Sequence, residues 1–152
     1  MSVTISLNDA SLRDVLGKLR KYPKAVKIDL NKEVLKSALR ITAQAKRNLY
    51  NNRSIKTSNL WKSITYRHIP SKHGAEVYTD VFYAPYVEDG TQPHIIKVKN
   101  AKALHWISGN KHIFAKSVNH PGTRAKPFMK PAADKEQPLY IANIKRVLTN
   151  NM

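Results

Sequence analysis

The chain has 152 residues, the size of one ordinary domain built around one core; 41% of them are hydrophobic and only 5 are glycine, which excludes a low-complexity or compositionally disordered polymer. It contains no cysteine, so a disulfide scaffold and a thiolate zinc site are excluded, and an intracellular folding environment is expected. Lys and Arg number 27 against 10 Asp and Glu, a formal net charge of +17, which predicts attraction to polyanions.

The opening MSVTISLNDASLRDV lacks the basic-then-apolar pattern of a signal peptide, and no apolar run approaches the roughly 18 residues that span a membrane. A soluble protein that is not exported by a signal-peptide route is the expectation. A short strand is predicted at Val3 to Ser6, after which Asn8 or Asp9 can cap a short amphipathic helix carrying Leu12, Leu16 and Leu19. Pro23 suits a first helical turn. From there Val26, Leu30, Val34, Ala38, Ile41, Ala45 and Leu49 recur at three- and four-residue intervals and predict one long helix, about Lys24 to Tyr50. Its opposite side carries Lys27, Lys36, Arg40 and Arg47, and Asn51-Asn52 are the residues most ready to end it.

Thr57 or Ser58 can cap a second, short helix in TSNLWKSI, with Leu60 and Ile64 on one face and Trp61 beside them. The period then changes. Ile64 to Ile69 and Ala75 to Phe82 are rich in β-branched and aromatic residues and flank Ser71-Lys72-His73-Gly74, so they predict an antiparallel hairpin. The stretch YAPYVEDGT (Tyr83 to Thr91) breaks the strand and closes on a Gly-Thr turn.

A second hairpin is predicted from Leu104 to Val118 with Gly109-Asn110 as its two-residue loop. Pairing Ser108 with Lys111 puts His105, Ile107, His112 and Phe114 on one face and Leu104, Trp106, Ile113 and Ala115 on the other. Both faces carry apolar residues, which suggests burial against neighbours, including those of another subunit. The tail from Pro131, with Leu139, Ile141, Ile144 and Leu148, reads as a helix that Pro138 either opens or kinks. The fold class is therefore α+β: a long N-terminal helix and a C-terminal helix packed on a small antiparallel sheet. Residues 1–152 form one domain in this reading, with 92–119 a projecting basic hairpin or loop.

The cations fall in two acid-free regions: nine lie between Glu33 and Glu76, and eight between Asp89 and Asp134. They either face a polyanion or simply solubilise a helix face and a loop. The stretch HPGTRAKPF (His120 to Phe128) poses the same question sharply, since it can be a phosphate-gripping loop, part of an active site or a docking hinge. His94, His105, His112 and His120 lie nearby, but no His-x-x-x-His pair sits on a predicted helix and no carboxylate lies among them, so they read as polar strand and turn residues and not as metal ligands. Glu88 and Asp89 beside a histidine are the candidates for acid–base catalysis in a small basic nuclease. Adjacent residues of an extended segment point to opposite sides, so Glu88 is expected instead to pair with a local Lys or Arg. GxxxxGKS/T, GxSxG and GxGxxG are absent, and Trp61, Tyr66, Tyr83, Tyr86 and Trp106 are scattered. A sequence-nonspecific, backbone-tracking nucleic-acid surface is the most that the cations alone justify.

Two segments taken together resemble a known family. YAPYVEDGT is similar to a YAxYVExGT motif, and HPGTRAKPFMKPA to HPGTxAxPFxxPA, in the same order and about thirty residues apart. Both motifs belong to the Hong Kong-type phage tail-component family, small neck or tail-completion proteins of long-tailed bacteriophages. The similarity runs from about residue 10 to residue 148; Asp89 and the high basicity depart from the family pattern.

The resemblance implies a non-enzymatic role without a cofactor: a homo-oligomeric ring, sixfold or twelvefold, at the head–tail junction of the virion, assembled in the host cytoplasm. Head-completion or connector proteins and tail-terminator or tail-tube proteins would be its neighbours, and passing double-stranded DNA would touch it without sequence preference. It implies that Tyr83, Tyr86 and Phe128 anchor the two turns in the core or at a subunit contact. Glu88, Thr91, His120, Pro121, Thr123 and Pro127 share those turns, and Gly90 and Gly122 supply permissive backbone. Lys97, Lys99, Lys102, Lys111 and Lys116 would form the projecting basic region, with Arg124 and Lys126 beside it facing DNA or a neighbouring ring.

Overall fold

A computed structural model describes residues 1–5, 23–54, 58–70 and 74–150. The predicted helix bearing Leu12, Leu16 and Leu19, the cap offered by Thr57, and the Ser71-Lys72-His73 part of the first turn lie outside the described residues. The elements are β1 (Ser2–Ile5), α1 (Lys24–Asn51), α2 (Asn59–Ser63), β2 (Thr65–Ile69), β3 (Gly74–Tyr78), α3 (Ala84–Glu88), β4 (His94–Lys97), β5 (Leu104–Ser108), β6 (Lys111–Ala115), β7 (Ser117–His120) and α4 (Met129–Thr149). The fold is α+β, as the periodicities predict.

Helix α1 buries the whole predicted stripe, from Val26 to Leu49. That stripe packs against α4 and, on the sheet side, against β3 and β2. Pro23 stands at the N-cap, one place before the predicted first turn. The far end closes on Arg53, which takes a left-handed φ of 50°. Ser54 N–H donates to Leu49 O and Arg53 N–H to Tyr50 O, both at 3.0 Å, the paired bonds of a Schellman motif with arginine where glycine is usual. Asn51 and Asn52, expected to end the helix, stay right-handed at its close.

The first sheet has the order β1-β3-β2, antiparallel throughout, with Thr65 opposite Tyr78 and Ile69 opposite Gly74. Strand β3 ends at Tyr78, short of the predicted Phe82. Its Ala75 and Val77 face the core with no exposed surface, while the alternate residue Glu76 pairs with Arg67 at 2.7 Å on the outer face. Leu60 of α2 and the adjoining Ile64 close the core as expected, and Trp61 stays exposed. Ser58 occupies the N-cap of α2 in a left-handed conformation (φ 57°) without a capping side-chain bond, so its predicted role is corrected: position without cap.

Helix α4 starts at Met129, before Pro131, and runs through Pro138. Pro138 lies on the exposed side, where the carbonyl deprived of its donor is open to water. The buried residues are Met129, Ala132, Glu136, Tyr140 and Ile144, so Tyr140 turns inward and Leu139 and Ile141 outward, correcting the apolar face predicted for the tail. Glu136 is buried because α1 meets it with two donors, Ser37 Oγ at 2.7 Å and Arg40 Nε at 2.8 Å, and with the charge of the Arg40 guanidinium, whose Nη2 lies 2.7 Å from the same oxygen. Arg40 thus leaves the solvent-facing basic side assigned to it, and the Glu136 hydrogen bond holds its guanidinium above the ordinary arginine range.

Candidate functional site

Residues 91–123 form a nested antiparallel ribbon. Thr91 bridges Thr123, β4 pairs with β7 from His94↔His120 to Lys97↔Ser117, and β5 pairs with β6 across Gly109-Asn110 in the predicted register, Ser108 opposite Lys111. No residue of its four strands is buried. Lys97, Lys99, Lys102, Lys111 and Lys116 are spread along it, all exposed. Apolar side chains are exposed on both faces as well: Ile107 at 62% and Phe114 at 66% on one, Trp106 at 37% on the other. The expected burial of the hairpin is therefore not provided by the described residues of its own chain.

His94, His105, His112 and His120 lie on the ribbon strands as two pairs. His105 Nε2 and His112 Nδ1 are 2.8 Å apart, with parallel rings (1°) whose centroids are 5.0 Å apart. That separation is close to the nitrogen distance plus two ring radii, so the imidazoles lie edge to edge and nearly in one plane, one donating and the other accepting. At the ribbon's base His94 Nδ1 donates to Gln92 O, and His120 Nδ1 accepts from Gly122 N–H at 3.1 Å. Among the described residues no group of three or more His, Cys, Asp or Glu is placed to hold a metal ion.

The two motif segments meet at this base. Tyr83 occupies the N-cap of α3 and Pro85 its first turn, so the segment expected to be extended is instead one helical turn plus a glycine. Thr91 N–H donates to Thr123 O and Thr123 N–H to Thr91 O, each at 3.0 Å, and the two hydroxyls are 3.0 Å apart. Gly90 (φ 74°) and Gly122 (φ 84°) precede these threonines. A Cβ on Gly90 would strike the Thr123 carbonyl oxygen and the Ala125 nitrogen; one on Gly122 would strike the Thr91 carbonyl oxygen. Glycine is required twice, by conformation and by space. The paired Gly-Thr dipeptides form a clasp.

Helical geometry turns Glu88 inward, where it is 4% exposed. Its Oε2 accepts from Phe128 N–H at 2.8 Å and Met129 N–H at 2.9 Å, and its Oε1 from Lys130 N–H at 2.8 Å. These are unpaired amides at the start of α4, whose own N-cap residue, Phe128, has no side chain able to accept them. The helix dipole adds a favourable field for the carboxylate. The expected ion pair of Glu88 with a local Lys or Arg is corrected to this capping role, and a carboxylate committed to three amides is not a free general base.

The strap between clasp and helix is held from two further sides. Lys126 N–H donates to Val87 O at 2.9 Å, while Asn48 and Asn52 of α1 donate side-chain amides to Phe128 O at 2.8 Å and Pro127 O at 2.9 Å. Phe128 is fully buried and Tyr83 packs on the core, whereas Tyr86 is 58% exposed. Pro121 is exposed beside the clasp, and Arg124 and Lys126 line a cavity described below. Sequence reasoning missed Asn48 and Arg53, and gave Asn52 a helix-ending role without its bond to the strap. An amide one helical turn from another, at the end of an amphipathic helix, is the sole signal for the two asparagines.

Among the described residues no helix is long and apolar enough to cross a membrane. Compared with family models, curated proteins and solved structures, the chain matches none.

Proposed function

We propose that the chain is a structural protein of the head–tail junction of a long-tailed bacteriophage or prophage, a neck or tail-completion subunit that closes into a sixfold or twelvefold ring around the path of the DNA. One observation supports this reading above the others. YAPYVEDGT and HPGTRAKPF, the stretches that resemble the family motifs, meet in one clasp, and the clasp carries a ribbon with apolar side chains exposed on both faces. Such a ribbon is best covered by another subunit, and a closed ring needs a contact in which one patch meets a different patch of its neighbour. In this reading the protein is not an enzyme and takes no cofactor; its neighbours are head-completion or connector and tail-terminator or tail-tube proteins. It resides in the virion after assembly in the host cytoplasm.

The test is native mass measurement with negative-stain imaging of the full chain and of a variant with residues 104–115 replaced by a short glycine linker. Rings are expected for the first, and folded monomers by circular dichroism for the second. A strictly monomeric full chain that is absent from purified virions would sink the proposal.

The net charge of +17 favours a second reading, a sequence-nonspecific nucleic-acid-binding module. It predicts that a monomer binds duplex DNA with an affinity falling steeply with salt; a flat salt dependence removes it.

A further inference from the structure

Beside the clasp lies a cavity of about 430 Å³, within the range of ligand pockets. Its floor is apolar, and its edge carries Trp61, Tyr83 and Tyr86 together with Arg53, Arg124 and Lys126. No carboxylate lines it among the described residues, and none of its three cations forms an ion pair there. Both non-glycine residues with left-handed backbone among those described, Arg53 and Ser58, also line it. Arginine at the left-handed position of a Schellman motif is unfavourable relative to glycine, and strain of this kind gathers where a ligand is gripped. Nothing in the packing of α1 requires a guanidinium at that point; the cavity does provide a use for one.

We propose that this cavity binds an acidic peptide segment of a partner protein, seating one apolar or aromatic side chain of the segment between Trp61 and Tyr86 and pairing flanking carboxylates with Arg53, Arg124 and Lys126. Charge and chemistry select this occupant. The ribbon of a second copy is apolar enough, but it brings lysines and no carboxylate to a rim that is already cationic. A nucleobase would bury polar edges against Leu49, Leu60 and Val87. An apolar side chain carries no such desolvation cost, and arginine forks suit carboxylates. The inference stands independently of the ring.

Fluorescence anisotropy of the full chain tests it with three labelled probes: an acidic peptide with one central phenylalanine, the same peptide with alanine at the centre, and a thymidine oligonucleotide. The phenylalanine peptide is expected to bind about tenfold more tightly than the alanine version at about 0.15 M salt. Arg124→Glu and Tyr86→Ala, both at exposed positions, should each weaken it severalfold, and Lys145→Glu, which removes the same charge elsewhere, should leave it unchanged. Arg53→Gly is the sharpest variant. It should hold or raise the thermal midpoint by relieving the backbone while weakening the peptide, a combination that a merely structural arginine would not produce. Equal binding of both peptides, or equal losses in Arg124→Glu and Lys145→Glu, would overturn the proposal in favour of diffuse electrostatics. Preferential binding of the oligonucleotide that Arg124→Glu and Tyr86→Ala abolish would overturn it in favour of a nucleic-acid site.

Discussion

Replacing Glu88 by alanine removes one side chain and strands three amides. Those of Phe128 and Met129 are buried and that of Lys130 is half-buried. An unpaired buried donor costs about 1–3 kcal/mol, so the first two together carry about 2–6 kcal/mol, whereas Lys130 N–H can turn to water and adds little. Loss of the carboxylate from the helix N-terminus contributes a further ~0.3–1 kcal/mol. Because the three bonds share one acceptor group the contributions are not additive, and the expected loss is about 3–5 kcal/mol, a large part of the stability of a domain this size. Glu88→Gln keeps one oxygen, which can hold the Phe128 and Met129 amides as Oε2 does, and should lose about 1–2 kcal/mol. Urea unfolding followed by far-ultraviolet circular dichroism measures both, with the m-value held as the check on two-state behaviour. Amide exchange at residues 128–130 should accelerate in the alanine variant ahead of the rest of α4. An alanine loss below about 1 kcal/mol, or a glutamine loss equal to it, would refute the capping account.

Gly90→Ala and Gly122→Ala should each destabilise by about 2–4 kcal/mol in the same assay, because a Cβ meets backbone at a positive φ; Gly109→Ala, also at positive φ (61°) but with open space around it, should cost about 1 kcal/mol. The Tyr140 hydroxyl is buried and finds no hydrogen-bond partner among the described residues, so Tyr140→Phe should leave stability unchanged or raise it by about 1 kcal/mol. Burial pushes the Tyr140 phenol up to about 12. The folded state therefore holds it neutral while the unfolded chain ionises near pH ~10, so this contribution is full below that pH and is lost as pH rises towards the folded value. Alkaline unfolding monitored with the 295 nm phenolate band should show the fall, and Tyr140→Phe should flatten it. Arg40→Ala leaves Glu136 with only the Ser37 hydroxyl and should cost about 1–3 kcal/mol, moderated because the arginine is itself partly solvated; adding Glu136→Gln should recover part of that loss in a double-mutant cycle.

What could be read from the sequence follows from how far apart the interacting residues are. Helix α1 was legible because Val26 to Leu49 repeat with the helical period and face one continuous core. The ribbon tip was legible in register because Gly109-Asn110 leaves room for little but a two-residue loop. Helix α4 was legible as a helix but not in its facing, since its buried stripe includes Glu136, whose burial depends on Ser37 and Arg40 about a hundred positions away. Glu88 was misread for a related reason. Its partners are backbone amides forty residues downstream, and backbone amides leave no trace in residue type. Both glycines of the clasp were visible as permissive residues, yet their steric reason, each pressing on the opposite strand's backbone, exists only once the segments meet.

Because Thr91 and Thr123 are direct neighbours, the chain leaves and re-enters the body at nearly one point. The length of the ribbon is thus decoupled from the stability of what it stands on. Insertions of two residues in each strand would lengthen it and keep every side chain on its present side, whereas insertions of one would exchange the faces. A lineage can therefore lengthen or shorten this ribbon in paired steps without renegotiating the core.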